Sequence, residues 1–406
     1  MSTIVCILIL ITTTGYLGKA QARLQQTWKR HSIDSSSIGA DGVRLSDVNR
    51  DGRMDITTGW EEGGVIRVYL HPGRNSVKSP WPQITVGSVT SPEDAVFCDL
   101  NGDGNFDVIS SCEGKNKSVY FHWAPADESQ FMDPHSWKTE SVPSVAKVQS
   151  WMFAAPVQLD GKYGPEIVLG SKGRNASIGY LSSPENPRIT SDWEYIKIRD
   201  AGWIMSLRIH DMDGDGDPDI LASDRRTIHS GIFWLENPNL AIEPPPVIWK
   251  EHPIGLEGRE IMFIDYSDEP STALHVAAAV KPNQIHPFHR SRDSNQFQEK
   301  LKITLPASFG TSKAVRIGDI DLDGTPDLVF TCEQASNGLS GVGWFKLNSS
   351  GKLVASTGIC NDISGPEGTK FDRIELIDLD EDGDLDLLTC EERERLGVIW
   401  YENPTR

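Results

Sequence analysis

Cysteine is scarce in this chain, six in 406 residues, and so is any long apolar stretch. Cys6 falls in an N-terminal leader, which leaves Cys98, Cys112, Cys332, Cys360 and Cys390 in the body of the protein. An odd count without tight spacing argues against a disulfide framework and against a thiolate metal site. Cys98, Cys112, Cys332 and Cys390 lie in or beside apolar runs, where cysteine behaves as a small hydrophobe. A Cys332–Cys360 bridge is the one pairing left open. No run approaches eighteen apolar residues, so no membrane span is expected in the mature chain. Basic charge is short as well, with 39 Lys and Arg against 58 Asp and Glu and a formal net charge of -19. Such a chain repels phosphate backbones, which sets nucleic acid aside as a partner, and it offers no polybasic patch to a lipid surface. Helical periodicity is missing throughout. So are the Gly-x-Ser-x-Gly, His-Glu-x-x-His and Cys/His zinc signatures.

What is present begins with an apolar block at 4–11, too short to cross a bilayer, followed by the small-x-small site Ala20-Gln21-Ala22. Residues 1–22 therefore read as a cleavable signal peptide and 23–406 as one exported domain, secreted or periplasmic. The body then repeats one phrase five times, Asp-x-(Asp/Asn)-x-Asp-Gly-x-x-Asp. The copies place candidate ligands at Asp47, Asn49, Asp51, Arg53 and Asp55, then at Asp99, Asn101, Asp103, Asn105 and Asp107. Three more place them at Asp211, Asp213, Asp215, Asp217 and Asp219, at Asp319, Asp321, Asp323, Thr325 and Asp327, and at Asp378, Asp380, Asp382, Asp384 and Asp386. Positions 1, 3 and 5 supply side-chain oxygens, position 7 a backbone carbonyl, and position 9 a carboxylate able to chelate with both oxygens. So many carboxylates in nine residues need an offsetting positive charge, and a hard cation taking six to eight oxygens, calcium, fits best. Gly at position 6 permits the positive φ that wraps chain around an ion. An EF-hand would need Glu at position 12 and flanking helices. Position 12 is Thr58, Ser110, Ala222, Phe330 or Thr389, and a strand-like run follows each time. About five structural calcium ions are therefore expected in strand-loop-strand sites.

Two weaker copies, at 158–166 and from Asp265 to His275, fill the gaps, so first positions fall at 47, 99, 158, 211, 265, 319 and 378. Seven units of about 54 residues result, each with four short strands separated by Gly, Pro, Asn and Asp. The fourth strand starts at Trp81, Trp137, Trp193, Trp249, Phe297 or Leu353. The seventh unit stops at its third strand, and residues 28–33 supply a strand just ahead of the first unit. The expected fold is all-β, a seven-bladed β-propeller closed by its N-terminal strand, which leaves only short edges. A monomer is expected.

The acidic phrases and their period resemble the FG-GAP/VCBS repeats, the calcium-bearing propeller repeats also found in integrin α chains. The resemblance covers residues 27–406 and implies that the ions are structural. It fails at Gln158, Lys162 and the 265–275 stretch, where no ion is expected. The phrases at 59–64, 68–73 and 121–125 are similar to the propeller of aldos-2-ulose dehydratases, enzymes that eliminate water from keto-sugars. That likeness implies a carbon-oxygen lyase as an alternative function, with no catalytic residue carried over.

If strand one runs toward the acidic loops, the turn after strand two lies on the opposite face. Six residues beyond position 9 stand Glu61, Glu113, Lys172, Arg225, Lys281, Glu333 and Glu392, all charged. Solvated turns would give the same pattern, so both readings stand. Asp41, Glu93, Asp94, Trp151, Trp203, Arg259, Lys313 and Asp372 enter strand one on that face. Aromatic plates beside mixed charge suit a sugar, and Trp151, Lys172, Trp203, Arg225, Arg259 and Lys281 are the expected lining of an acidic-glycan site. Packing between blades is the competing reading for either Trp. For an elimination, His229, Glu61, Glu113 and Lys172 are the candidate acids and bases. The leading expectation is a carbohydrate-binding and possible sugar-modifying module; a protein-interaction scaffold is the alternative.

Overall fold

The computed structural model of the protein describes residues 27–240, 248–269, 273–291, 294, 296–348 and 360–406. The leader expected at 1–22 and a fourth strand starting at Leu353 fall outside them. Seven antiparallel sheets succeed one another along the chain, in the manner of propeller blades. Blade 1 is built from Ala40–Ser46, Asp55–Trp60, Val65–Tyr69 and Gln83–Ser88, and blade 2 from Pro92–Cys98, Asp107–Cys112, Val119–Trp123 and Lys138–Ser141. Blade 3 comprises Ser150–Val157, Glu166–Lys172, Ser177–Ser182 and Glu194–Asp200; blade 4 comprises Ile204–His210, Asp219–Asp224, Gly231–Glu236 and Lys250–Gly255. Blade 5 holds Ile261–Glu269, Ala273–Val280 and Gln284–Ser291, with two short pieces, Gln298–Glu299 and Ile303–Thr304, both pairing with the third strand. Blade 6 holds Thr311–Gly318, Asp327–Glu333, Val342–Phe345 and Asn361–Asp362. In blade 7, Phe371–Ile377, Asp386–Glu391 and Gly397–Glu402 carry Lys29–Asp34 as their outermost strand, Lys29 opposite Glu402 and Arg30 opposite Tyr401.

Burial explains the composition of these strands. Strand two of blades 1 and 2 is buried at every residue, because neighbouring blades cover both of its faces. A strand covered twice cannot alternate apolar with charged residues, so it reads Ile, Val, Thr, Ser and Cys instead. The core is accordingly a set of layers between blades rather than one centre. Phe121, Trp123, Trp151, Leu169 and Trp193 from blades 2 and 3 make one such layer. Trp193 meets Phe121 edge-on at 5.0 Å and its indole donates to the Pro187 carbonyl at 2.9 Å. All five cysteines of the body are free, Cys332 and Cys360 included.

The register corrects one boundary. His210 lies opposite Asp219 in blade 4, and Ser267 lies opposite His275 in blade 5. His275 therefore does occupy position 9, but position 1 is Asp268, because the hairpin is one residue shorter. Asp265 belongs three residues earlier, opposite Ala277, at the level where Arg208 stands opposite Leu221. Arg44, Arg316 and Glu375 occupy the same level in blades 1, 6 and 7. Five of the seven inner strands thus bring charge to the axis at one level, where Val96 and Ala155 stand in blades 2 and 3. Above it Phe153 and Phe263, rings 5.6 Å apart, meet between blades 3 and 5, with the Arg373 guanidinium 5.5 Å from each.

If the layers between blades carry the stability, Trp193→Ala should cost about 3–5 kcal/mol in urea unfolding. A cost below about 1 kcal/mol would place the stability elsewhere.

Candidate functional site

The five acidic loops share one hydrogen-bond plan. The position-1 Asp accepts the N–H of the position-6 glycine at 2.8–3.0 Å in every copy. The position-5 Asp accepts from the position-7 N–H at 2.8–3.2 Å. Position-6 φ values run from 83° to 97°, and position 4 is left-handed too, at Arg50, Gly102, Gly214, Leu322 and Glu381. The position-9 Asp is almost wholly buried, and both of its oxygens are engaged. One accepts from position 2 (Val48, Leu100, Met212, Ile320 or Leu379) at 2.8–3.2 Å. The other accepts from the first or second residue after strand three (His71, Ala124, Asn237, Leu347 or Asn403) at 2.7–3.0 Å. Each position-9 Asp is thus a backbone clamp with lone pairs to spare.

These donors fit a cation. One oxygen from each of Asp211, Asp213 and Asp219 lies within 4.8 Å of the others, and Asp319, Asp321, Asp327 and Asp378, Asp380, Asp386 form like sets. Oxygens sharing one calcium shell at 2.3–2.6 Å lie no farther apart than about 5 Å. In the first two loops Asn49 and Asn101 take position 3 and donate to Asp51 and Asp103. Buried oxygens of Asp217, Asp321, Asp380 and Asp384 receive no hydrogen bond. Burial, then neighbouring loop carboxylates, pushes Asp219, Asp327 and Asp386 up to about 7. In the third loop a neutral amide stands at position 1. Gln158 accepts from Asp160 and Gly161 with its Oε1 and donates with its Nε2 to the Lys162 and Gly164 carbonyls at 3.0 and 3.1 Å. Gly164 is position 7, so the amide meets the carbonyl that an ion would otherwise hold. Lys346 against Asp321 and Asp323, and Lys78 against Asp380, bring cations to loops 6 and 7.

On the opposite face the seven residues beyond strand two are half-buried or buried, and all but Glu61 form ion pairs. Lys172 meets Glu113 and, at 3.4 Å, Glu93. Arg225 pairs with Glu260, Lys281 with Glu333, and Lys370 with Glu392. Lys313 reaches Asp372 at 2.9 Å and Glu333 at 3.7 Å. A basic arc free to receive an acidic ligand does not form, because Glu260, Glu333, Glu93 and Glu113 neutralise it. The acids, by contrast, exceed their partners near the axis. Asp41 shares a 4.8 Å neighbourhood with Asp372 and Glu392, and a second with Glu61 and Glu93. It is 9% exposed, and among the described residues its side chain has neither hydrogen bond nor ion pair. Burial, then Asp372, Glu392 and Glu93, raises Asp41 well above the usual carboxylate range. Burial likewise lifts Glu93, with Lys172 opposing and Glu113 adding, and Glu392, to about 7, with Lys313 opposing and Asp372 adding.

The expected site residues divide accordingly. Trp151 is fully buried, donates to Val145 at 2.9 Å and packs edge-on against Tyr195, so it is blade core and not a ligand plate. Trp203 does sit at the face, but Lys172, Arg225 and Arg226 lie 4.5–4.7 Å from its ring and occupy it. Its buried indole nitrogen has no partner. Arg259 is exposed and bonds Gln284 at 2.8 Å. Of the catalytic candidates, Glu61, Glu113 and Lys172 come together at the mouth. His229 does not join them; it lies on the 225–230 turn and neighbours Asp200. Two hollows on this face, of about 470 and 130 Å³, are lined by blades 6 and 7 (Arg30, Glu367 and Glu394 in one, Glu333, Lys370 and Arg393 in the other). Lys370 and Glu260 were missed because they lie outside the six-residue count. Their signal is adjacency to strand one, two residues before Asp372 and one before Ile261.

The FG-GAP-like repeat model matches residues 47–110, the stretch bearing the first two acidic loops. No curated protein matches the chain. Among solved structures, BBS1N, crystallised in complex with ARL6DN and soaked with mercury, is similar over 93% of this chain and 97% of its own, with a TM-score of 0.56 and 11% identity. Saccharomyces cerevisiae Sqt1 is similar over 94% and 99%, with a TM-score of 0.51 and 10% identity. At such identities the likeness is one of fold. Among the described residues no helix is long and apolar enough to cross a membrane.

The mouth has a pH signature. A carboxyl whose folded pKa is raised contributes stability only while protonated, so its contribution fades as pH rises from the unfolded value of 4.5 toward about 7. Glu392→Gln should therefore gain on wild type by roughly 1–3 kcal/mol between those pH values in chemical unfolding. A difference that does not change with pH would show that Glu392 is not shifted.

Proposed function

We propose that this is an exported, calcium-clamped propeller, closed by its N-terminal strand, that serves as a binding scaffold through the face opposite the acidic loops. The ligand class best supported is a neutral, polyhydroxylated carbohydrate. One observation carries the reading: Asp41, buried without a hydrogen bond amid four other carboxylates, leaves the axial mouth in need of donors. Sugar hydroxyls are such donors, and a neutral ligand avoids displacing the ion pairs that hold Lys172, Arg225 and Lys281. An acidic glycan would have to break them. Glu61, Glu113 and Lys172 stand close enough to the mouth to act as acid and base should a keto-sugar bind there. The second reading is a protein scaffold, favoured by the likeness to a propeller crystallised with a protein partner. A partner's basic side chain would meet the same need for donors.

A screen of neutral, keto- and acidic oligosaccharides by melting shift separates these readings. A neutral sugar should stabilise wild type, and Asp41→Asn should weaken it about tenfold, the scale of one buried hydrogen bond. Arg225→Ala should retain it. If no sugar shifts the melt while a photo-crosslinker at Glu62, but not one at Asp103, captures one discrete protein, the scaffold reading replaces it. Rising ultraviolet absorbance with a keto-sugar would mark elimination.

Calcium has its own test. Removing divalent ions with EDTA should lower the melting temperature reversibly, and calcium at about 100 Kd should return roughly 2.7 kcal/mol per site. Asp215→Asn, Asp323→Asn and Asp382→Asn, at a position that is Asp in all five loops, should together remove more than half of that response. An EDTA-insensitive melt would remove the ions from the account.

A further inference from the structure

Between the mouth and the acidic loops the axis carries a second charged layer that the proposed recognition does not use. Arg44, Arg208 and Arg316 project from it at the same offset, three residues ahead of Asp47, Asp211 and Asp319. Asp265 and Glu375 share that level, and Asp94 and Arg373 come from the strand bulges just above. The three acids are taken. Asp94 accepts two bonds from Arg44, at 2.9 and 2.6 Å. Asp265 accepts from Arg316 at 2.6 Å, and Glu375 pairs with Arg316. Four guanidinium groups and three carboxylates leave one positive charge over.

That surplus is localised. Arg208 has one remote ion pair, to Asp265 at 3.5 Å, and its buried Nε has no acceptor. Arg373 is 3% exposed, has no ion pair among the described residues, and its Nη1 is buried without an acceptor. Burial and then Arg44 hold Arg373 well below the ordinary arginine range. Burial and then Arg316 bring Arg208 to about 10. Glu375 faces all four arginines and is held low by Arg316, Arg208, Arg373 and Arg44 against its burial. A guanidinium kept from both water and acceptor loses its most favourable interactions. We propose that this layer binds one small monovalent anion, a carboxylate or a halide, between Arg208 and Arg373. The partly exposed flanks of Arg44, Arg208 and Arg316 open the layer to the channel. The Phe153–Phe263 contact above limits the guest to a few atoms. One negative charge completes the balance, and a guanidinium pair suits a carboxylate in particular.

The test uses the full chain with calcium present. Crystals soaked in sodium bromide should show an anomalous peak between Arg208 and Arg373. In solution, sodium formate should raise the melting temperature beyond sodium gluconate of equal ionic strength, since gluconate is too large to enter. Arg208→Met and Arg373→Met should each raise the half-saturating formate concentration at least about tenfold, the loss of one charge-assisted contact. Glu375→Gln should lower it, because it removes the acid that competes for the same cations. That gain cannot come from a damaged fold. The proposal falls if bromide does not appear at that point, if both Met variants respond to formate like wild type, or if Glu375→Gln weakens the response.

Discussion

A buried carboxylate at the ninth position of each acidic loop joins three strands of its blade. One oxygen takes the N–H that follows strand one, and the other takes the N–H that follows strand three. Strand two begins at the carboxylate itself, so its direction and register are set at that point. Burial of the bare acid is costly, and neighbouring acids make it more so. A positive charge in the loop would offset that cost and leave the clamp in place. The hydrogen bonds therefore define the geometry, while the proposed cation would set how firmly it is held.

Because the clamp fixes one end of strand two, the residues six positions on are delivered to the other end in every blade. This made the opposite face legible in the sequence: Glu61, Glu113, Lys172, Arg225, Lys281, Glu333 and Glu392 do converge there. Their signs were legible, but their pairing was not. Arg225 is neutralised by Glu260 from the next blade's approach to strand one, and no repeat offset announces it. Trp151 and Trp203 show the same limit. Both enter strand one at the same face, yet Trp151 turns into the layer between blades and Trp203 into a cluster of cations. Asp265 was misplaced because a hairpin one residue short keeps its strands in phase while shifting its first position. The arginine layer was readable after the fact, since three of its members share one offset from the acidic phrase.

Along the axis, charge of one sign does not persist. The mouth has more carboxylates than cations, and the layer beneath has more guanidinium groups than carboxylates. The aromatic contact of Phe153 and Phe263 lies between them with Arg373. That separation keeps the two surpluses from cancelling each other, so each is left to seek its counterpart from outside. A channel that looks like a by-product of ring closure thus presents two chemically opposite compartments a few residues apart.

Gln158 carries the last consequence. One neutral amide there accepts the position-4 N–H that Asp99 and Asp211 accept in their loops, and donates to the position-7 carbonyl an ion would coordinate. On the proposed calcium reading, dependence on the ionic composition of the surroundings is set blade by blade rather than for the ring as a whole. A lineage moving into calcium-poor water could, on that reading, shed its reliance on the metal one loop at a time, with the strands on either side unchanged.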